Sequence, residues 1–154
     1  MYRSLYDEDF SKEYASHDDE NITPVTPFQK RIFYKVLEFD EFLDSSCMDI
    51  YDQLKIAKMI KQHYSSYDAF IVLHGTDTMA YTASTLSFCL ENLNKPVIIT
   101  GSQIPIQELK NDAVDNFLGS LLVAGQYTIP EVMIFFGNKL LRGNRARKVN
   151  SAQL

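Results

Sequence analysis

Short apolar runs, separated by helix-length amphipathic stretches and closed by polar turns, constrain this chain more than any other feature. Ile32 to Phe39 (IFYKVLEF) is rich in aromatic and β-branched residues and predicts a strand. Ala69 to His74 (AFIVLH) and Pro96 to Thr100 (PVIIT) show no alternation, as expected for strands buried on both faces, and Glu131 to Phe136 (EVMIFF) is a fourth run. Between them lie helical stripes: Ile50, Leu54, Ala57, Ile60 and Tyr64; then Met79, Ala83, Leu86, Leu90 and Leu93; then Phe117, Leu118, Leu121 and Leu122 within about 112–126. Ser46 or Asp49 could cap the first, and Asn94 with Pro96 ends the second. Gly137 and Gly143 bracket a turn or hairpin around Leu140 and Leu141.

Successive strands about 30 residues apart leave room for the crossover that parallel pairing requires. The expected fold is α/β: an open, mostly parallel sheet with helices on both faces. Residues 1–28 carry no sustained periodicity and read as a separate, poorly patterned segment. In open sheets of this kind ligands bind beyond the carboxyl ends of the strands. Asp44-Ser45-Ser46, Gly75-Thr76-Asp77-Thr78 and Gly101-Ser102-Gln103 all follow predicted strand ends, so they should converge on one rim.

Charge and cysteine content narrow the partners. A net charge of −5 argues against nucleic acid and against an acidic membrane surface. No apolar run approaches the ~20 residues of a membrane helix. The opening MYRSLYDEDF is too polar and acidic for a signal or transit peptide, and Cys47 and Cys89 form no metal-ligand spacing. Reduced thiols and a cytoplasmic location are the expectation.

The rim residues suit amide chemistry, though each has a plainer reading. Gly75 permits a sharp turn off the strand, and Thr76 would lie near a helix N-terminus whose free N–H groups favour a carboxylate or oxyanion. Asp77 could hold an ammonium. Thr-Asp-Thr is equally what an N-cap looks like. Asp44, Ser45 and Ser46 offer one acid for an ammonium and two hydroxyls for a carboxylate, or simply a polar turn capping a helix. Arg142, Arg145, Arg147 and Lys148 read, unaided, as a solvated basic face.

IVLHGTDTMAYTAS (71–84) resembles the second signature of the asparaginase and glutaminase family, in which H-G-T-D-T-M follows a buried strand. LDSSCM resembles its substrate-binding loop, PVIITGSQIPI its next strand and turn, and FGNKLLRGNRARKVNS the segment holding its essential lysine. The resemblance spans roughly 29–154, a partial N-terminal domain, and is nearest to cytosolic, type I-like members. It implies Thr76, Asp77 and Lys148 as catalytic residues and Asp44, Ser45 and Ser46 as substrate-binding residues. Ser102 and Gln103 would stand behind them. It further implies hydrolysis of L-asparagine to L-aspartate and ammonia by threonine-dependent acyl transfer, with no cofactor and no metal, in a homo-oligomer (dimer or tetramer). The alternatives within reach are the asparaginase-like subunit of a tRNA-dependent amidotransferase and a non-catalytic amino-acid-binding relative. Two positions depart from the family: Cys47 stands where an acid is usual and Arg147 where threonine is common. The family's opening T-G-G-T-[IV]-G, whose first threonine is taken as the acyl-forming nucleophile, does not occur in the sequence. The expectation is therefore an internal fragment, truncated at both ends and inactive by itself.

Overall fold

The computed structural model describes residues 20–40 and 42–149. They fall into two compact units, divided between Phe42 and Leu43.

In the first unit β1 (Asn21–Ile22) pairs antiparallel with β2 (Phe33–Tyr34). This corrects the expected strand over 32–39, which is two residues long and belongs to a ladder of its own. Phe33, Val36, Leu37 and Phe39 all remain exposed. β-propensity expresses a fit to a half-buried pleated surface, and without that surface aromatic and β-branched residues do not extend a ladder. Most of the patternless stretch 1–28 lies outside the described residues.

The second unit is α/β. Its elements run α1 (Ile50–His63), β3 (Phe70–Leu73), α2 (Met79–Cys89), β4 (Val97–Thr100), α3 (Ala113–Gln126), β5 (Val132–Phe136) and β6 (Lys139–Arg142). The sheet order is β3-β4-β5-β6, with the first three parallel and the last antiparallel. All four residues of β4 are buried, as its unbroken apolar run requires.

Helices cover both faces. On one, Ile56, Ala57 and Ile60 of α1 and Met79, Ala83 and Leu86 of α2 pack with Val97, Ile99, Val132 and Ile134. On the other, Val123 and Ala124 of α3 pack with Ile98, Met133 and Phe135. Strand residues alternate between the two cores, so neither helix layer can be lost without uncovering half of β4 and β5. The buried stripe of α1 is rotated from the expected one: Gln53, Ile56, Ala57 and Ile60 are buried, while Ile50 is exposed. Asp49 starts this helix through a capping box with Asp52.

The β5–β6 hairpin turns through Gly137 and Asn138, both with positive φ (55° and 58°), as the tight turn of a two-residue hairpin demands. β6 carries the chain back to Gly143, which packs against Ala83 and the Val132 carbonyl. From there a 3-10 turn over Gly143–Arg145 leads into an extended segment beside α2, which brings residues 146–149 level with Asp77.

Candidate active site

The rim assembles from three loops and one extended segment, all in the second unit. β3 and β4 are parallel and in register from Phe70↔Val97 to Leu73↔Thr100, so the segments leaving them emerge side by side. The His74 N–H continues the ladder to the Thr100 carbonyl at 2.8 Å.

The expected rim is present, but Asp44–Ser46 reaches it differently from the sequence reading. Among the described residues no strand of the central sheet precedes it. Instead a 3-10 turn over Ser45–Cys47 is pinned from the opposite loop. The Thr78 hydroxyl donates to the Ser45 carbonyl at 2.7 Å. A Cβ at Gly75 would overlap the Ser45 hydroxyl and stand 2.7 Å from its Cβ, so glycine is what lets the two loops close on each other. Thr78 occupies the N-cap position of α2 but makes no capping bond. Of the two readings of Thr-Asp-Thr, the hydroxyl is spent on joining loops and Asp77 on a lysine.

Lys148 lies 72 positions from Thr76 and donates to its Oγ1 at 2.8 Å. It also pairs with Asp77 Oδ1 at 2.9 Å. Thr76 in turn donates to Gln103 Oε1 at 3.3 Å. A single hydroxyl thus accepts from an ammonium and donates to an amide, which fixes its lone pairs as well as its position. The Asp77 side chain is 60% exposed and that of Lys148 24%. An ion pair this open adds little stability, so its consequence is geometric: it holds the ammonium over the threonine.

Asp44 Oδ1 accepts from both the backbone N–H and the hydroxyl of Ser46, each at 2.9 Å. These two bonds, the backbone one first, hold the Asp44 carboxyl below its ordinary range and keep it ionised. Ser45 is buried at the foot of the loop, whereas Asp44 and Ser46 are exposed. Among the described residues no group of three or more His, Cys, Asp or Glu could hold a metal ion, and no helix is long and apolar enough to cross a membrane.

The sequence profile described as "Asparaginase, N-terminal" matches residues 6–154. The chain belongs to the asparaginase family. It is 55% identical over 118 residues to L-asparaginase 1 of Escherichia coli strain K12, covering 77% of this chain and 35% of that protein. It is 49% identical over 147 residues to the "60 kDa lysophospholipase" of Mus musculus, covering 96% of this chain and 26% of that one. The crystal structure of L-asparaginase I from Vibrio cholerae superposes with a TM-score of 0.72 at 55% identity, over 74% of this chain and 35% of that chain. The chain thus spans about a quarter to a third of the length of these relatives.

Signature residues that were given no role also shape the site. His74 is 8% exposed and bridges two elements. A carbonyl only accepts, so Nδ1–H donates to the Gly75 carbonyl at 2.6 Å, and Nε2 must accept from the Thr82 hydroxyl at 2.9 Å. That arrangement needs the neutral ring, and burial lowers the His74 pKa from 6.5. The unfolded chain then takes up a proton that the folded one refuses. His74 contributes fully to stability above pH 6.5, and the contribution is lost as pH falls through the lowered folded value. The melting temperature is expected to drop between about pH 7.5 and about pH 5.5, before carboxylates titrate, and His74→Gln should flatten that segment of the curve. An unchanged slope in the variant would assign the pH response to other groups.

Proposed function

We propose that residues 43–149 form the proton-handling and substrate-gripping part of an L-asparaginase site, hydrolysing L-asparagine to L-aspartate and ammonia. The observation that carries this reading is the Lys148 ammonium seated on both Thr76 Oγ1 and Asp77 Oδ1. A hydroxyl is a poor nucleophile or proton relay at neutral pH unless a base adjoins it. When Lys148 is a neutral amine the bond reverses: Thr76 gives its proton to Nζ and draws one from a water on its other side. The hydroxide so formed adds to the carbonyl carbon of the acyl ester. The ester's C–O bond breaks, L-aspartate leaves, and the threonine that carried the acyl group recovers its proton from Lys148. In the preceding half-reaction the acyl-carrying threonine oxygen adds to the amide carbon as its proton passes to neutral Lys148, and the C–N bond then breaks with nitrogen leaving as ammonia on the proton that Lys148 returns. The family pattern supplies the acyl-carrying hydroxyl from its Thr-Gly-Gly-Thr segment. Asp44, Ser45 and Ser46 serve as the grip on the α-ammonium and α-carboxylate, and a homo-oligomer completes the site as in the family pattern.

The test measures ammonia release from L-asparagine and L-glutamine, and fatty-acid release from a lysophosphatidylcholine, by the protein at its full natural length. Turnover of asparagine with none of the lysophospholipid is the expected result. Ester cleavage alone would refute the reading. Ser45→Ala is expected to raise KM about 5-fold with kcat within twofold, the loss of roughly one neutral hydrogen bond of ~1 kcal/mol. A fall in kcat at constant KM would move Ser45 from gripping to chemistry.

A further inference from the structure

Asp112 and Asn116, at the start of α3, have no assigned role, yet their bonds run to both sides of the Thr76 hydroxyl. Asp112 stands at the N-cap position of its helix and makes no capping bond. Its carboxylate reaches across instead. Both oxygens accept from the Gln103 N–H at 3.0 Å, and Oδ1 also accepts from the Ile104 N–H at 2.9 Å. Asn116 is 2% exposed and uses both ends of its amide. Nδ2 donates to the Gly101 carbonyl at 2.9 Å and to Asp112 Oδ2 at 3.0 Å, while Oδ1 accepts from the Gly137 N–H at 3.0 Å.

Gly101–Ile104 is the loop that carries Gln103, the acceptor for the Thr76 proton. Gly137 opens the hairpin that leads through β6 to Lys148, the donor to the same Thr76 oxygen. One carboxylate and one buried amide therefore join the two chain segments that flank the hydroxyl. A loop beyond a strand end has no ladder to hold it, so charge-assisted bonds from a helix are what fix the Gln103 backbone.

We propose that Asp112, braced by Asn116, is a positioning residue that acts on Thr76 through Gln103. This deepens the reading of the Thr76–Lys148 pair and rests on it for its catalytic consequence. Asp112→Asn keeps the size of the side chain but removes its charge and one of its two acceptors, and its NH2 must face the Gln103 N–H or Asn116 Nδ2, so the hold on the Gln103 backbone is weakened.

The effect is read by a double-mutant cycle with Gln103→Leu in the protein at its full natural length. Each single variant is expected to lower kcat about 10-fold with KM within about twofold, and the double variant to show about the same 10-fold loss. A double variant down about 100-fold would mean independent actions and overturn the proposal. So would an Asp112→Asn protein that melts lower yet keeps its kcat, the mark of a purely structural residue. A second readout needs no turnover. The side-chain amide NMR signal of Gln103 should move in Thr76→Val, where its oxygen loses a donor. It should move the same way in Asp112→Asn, and no further in the combination. A Gln103 signal indifferent to Asp112→Asn overturns the positioning role whatever the activity. A signal that responds in a protein without asparagine turnover upholds the positioning and refutes the functional reading beneath it.

Discussion

Lys148→Met is expected to lower the kcat for asparagine by about 10²-fold or more, the usual cost of removing a general base, with KM changed much less. Methionine keeps the length and apolar stem of lysine but removes the group that bonds Thr76 and Asp77. The lost ion pair is exposed, so the folded state should be little affected. Stability and activity are thereby separated in one variant. Thr76→Val is nearly isosteric and deletes the oxygen that links Lys148 to Gln103, and an equal loss is expected. If the two act as one unit, the double variant will lose no more than either alone. Steady-state kinetics on the three proteins, with melting curves alongside, decide the matter. Near-normal turnover in Lys148→Met would end the assignment of base.

Arg147 gives the same experiment a second use. It lines the outer wall beside Lys148 together with Tyr81 and Asn144, and has no bond to Thr76 or Asp77 among those that orient the pair. Losses confined to Lys148 therefore report position, and not the general positive charge of the segment.

How far the sequence foretold this arrangement depends on the range of the forces involved. β4 and β5 were legible because burial on both faces demands unbroken apolar runs, which VIIT and VMIFF supply; FIVL forms β3 as expected, but at the edge of the described sheet with Leu73 exposed, so its burial on both faces is not found. A hairpin near Gly137 was legible from the glycine, but it turns on Gly137 and Asn138, which accept positive φ in succession, and not around Leu140 and Leu141, which pair within β6. Ile32–Phe39 misled because its composition suits a strand while no packed face is offered to it. The stripe of α1 was displaced for a related reason: Ile50 looks like core by type, but Asp49 and Asp52 fix where the helix starts and so which side faces the sheet.

The site was legible in type and not in connection. Nothing local distinguishes Lys148 from Arg145 or Arg147, since its partners sit 72 and 71 positions away. Only resemblance singled it out. Asp112 and Asn116 drew no reading from the sequence, because N-cap chemistry uses the same side chains. A weak signal did exist: Asn116, Ser120 and the neighbouring glycine at 119 put small or polar groups where α3 should meet the sheet. A buried amide there must find partners, and it finds the two loops of the site.

The dependence on close backbone approach leads to the largest expected loss of stability. A Cβ at Gly101 would overlap the His74 carbonyl oxygen and stand 3.0 Å from Met79 Cε and 3.2 Å from the His74 carbonyl carbon. The methionine end can move, but the carbonyl cannot: it belongs to the residue whose N–H bonds Thr100 and whose ring bonds Gly75 and Thr82. Gly101→Ala must therefore push β4's exit away from β3's, and its own carbonyl away from Asn116 Nδ2. Overpacking that backbone must absorb costs about 3 kcal/mol, and a drop in melting temperature of roughly 10 °C is expected for a domain of this size. The Thr76–Gln103 bond spans the same two exits, so turnover per folded molecule should fall as well. Gly137→Asn supplies the contrast. Its Cβ would meet nothing within 4 Å, and its φ of 55° lies where asparagine is tolerated. That variant should melt within about 2 °C of the parent. Equal melting temperatures for Gly101→Ala and Gly137→Asn would show that the strand ends yield freely, and that glycine at 101 is no condition for bringing Thr76 beside Gln103.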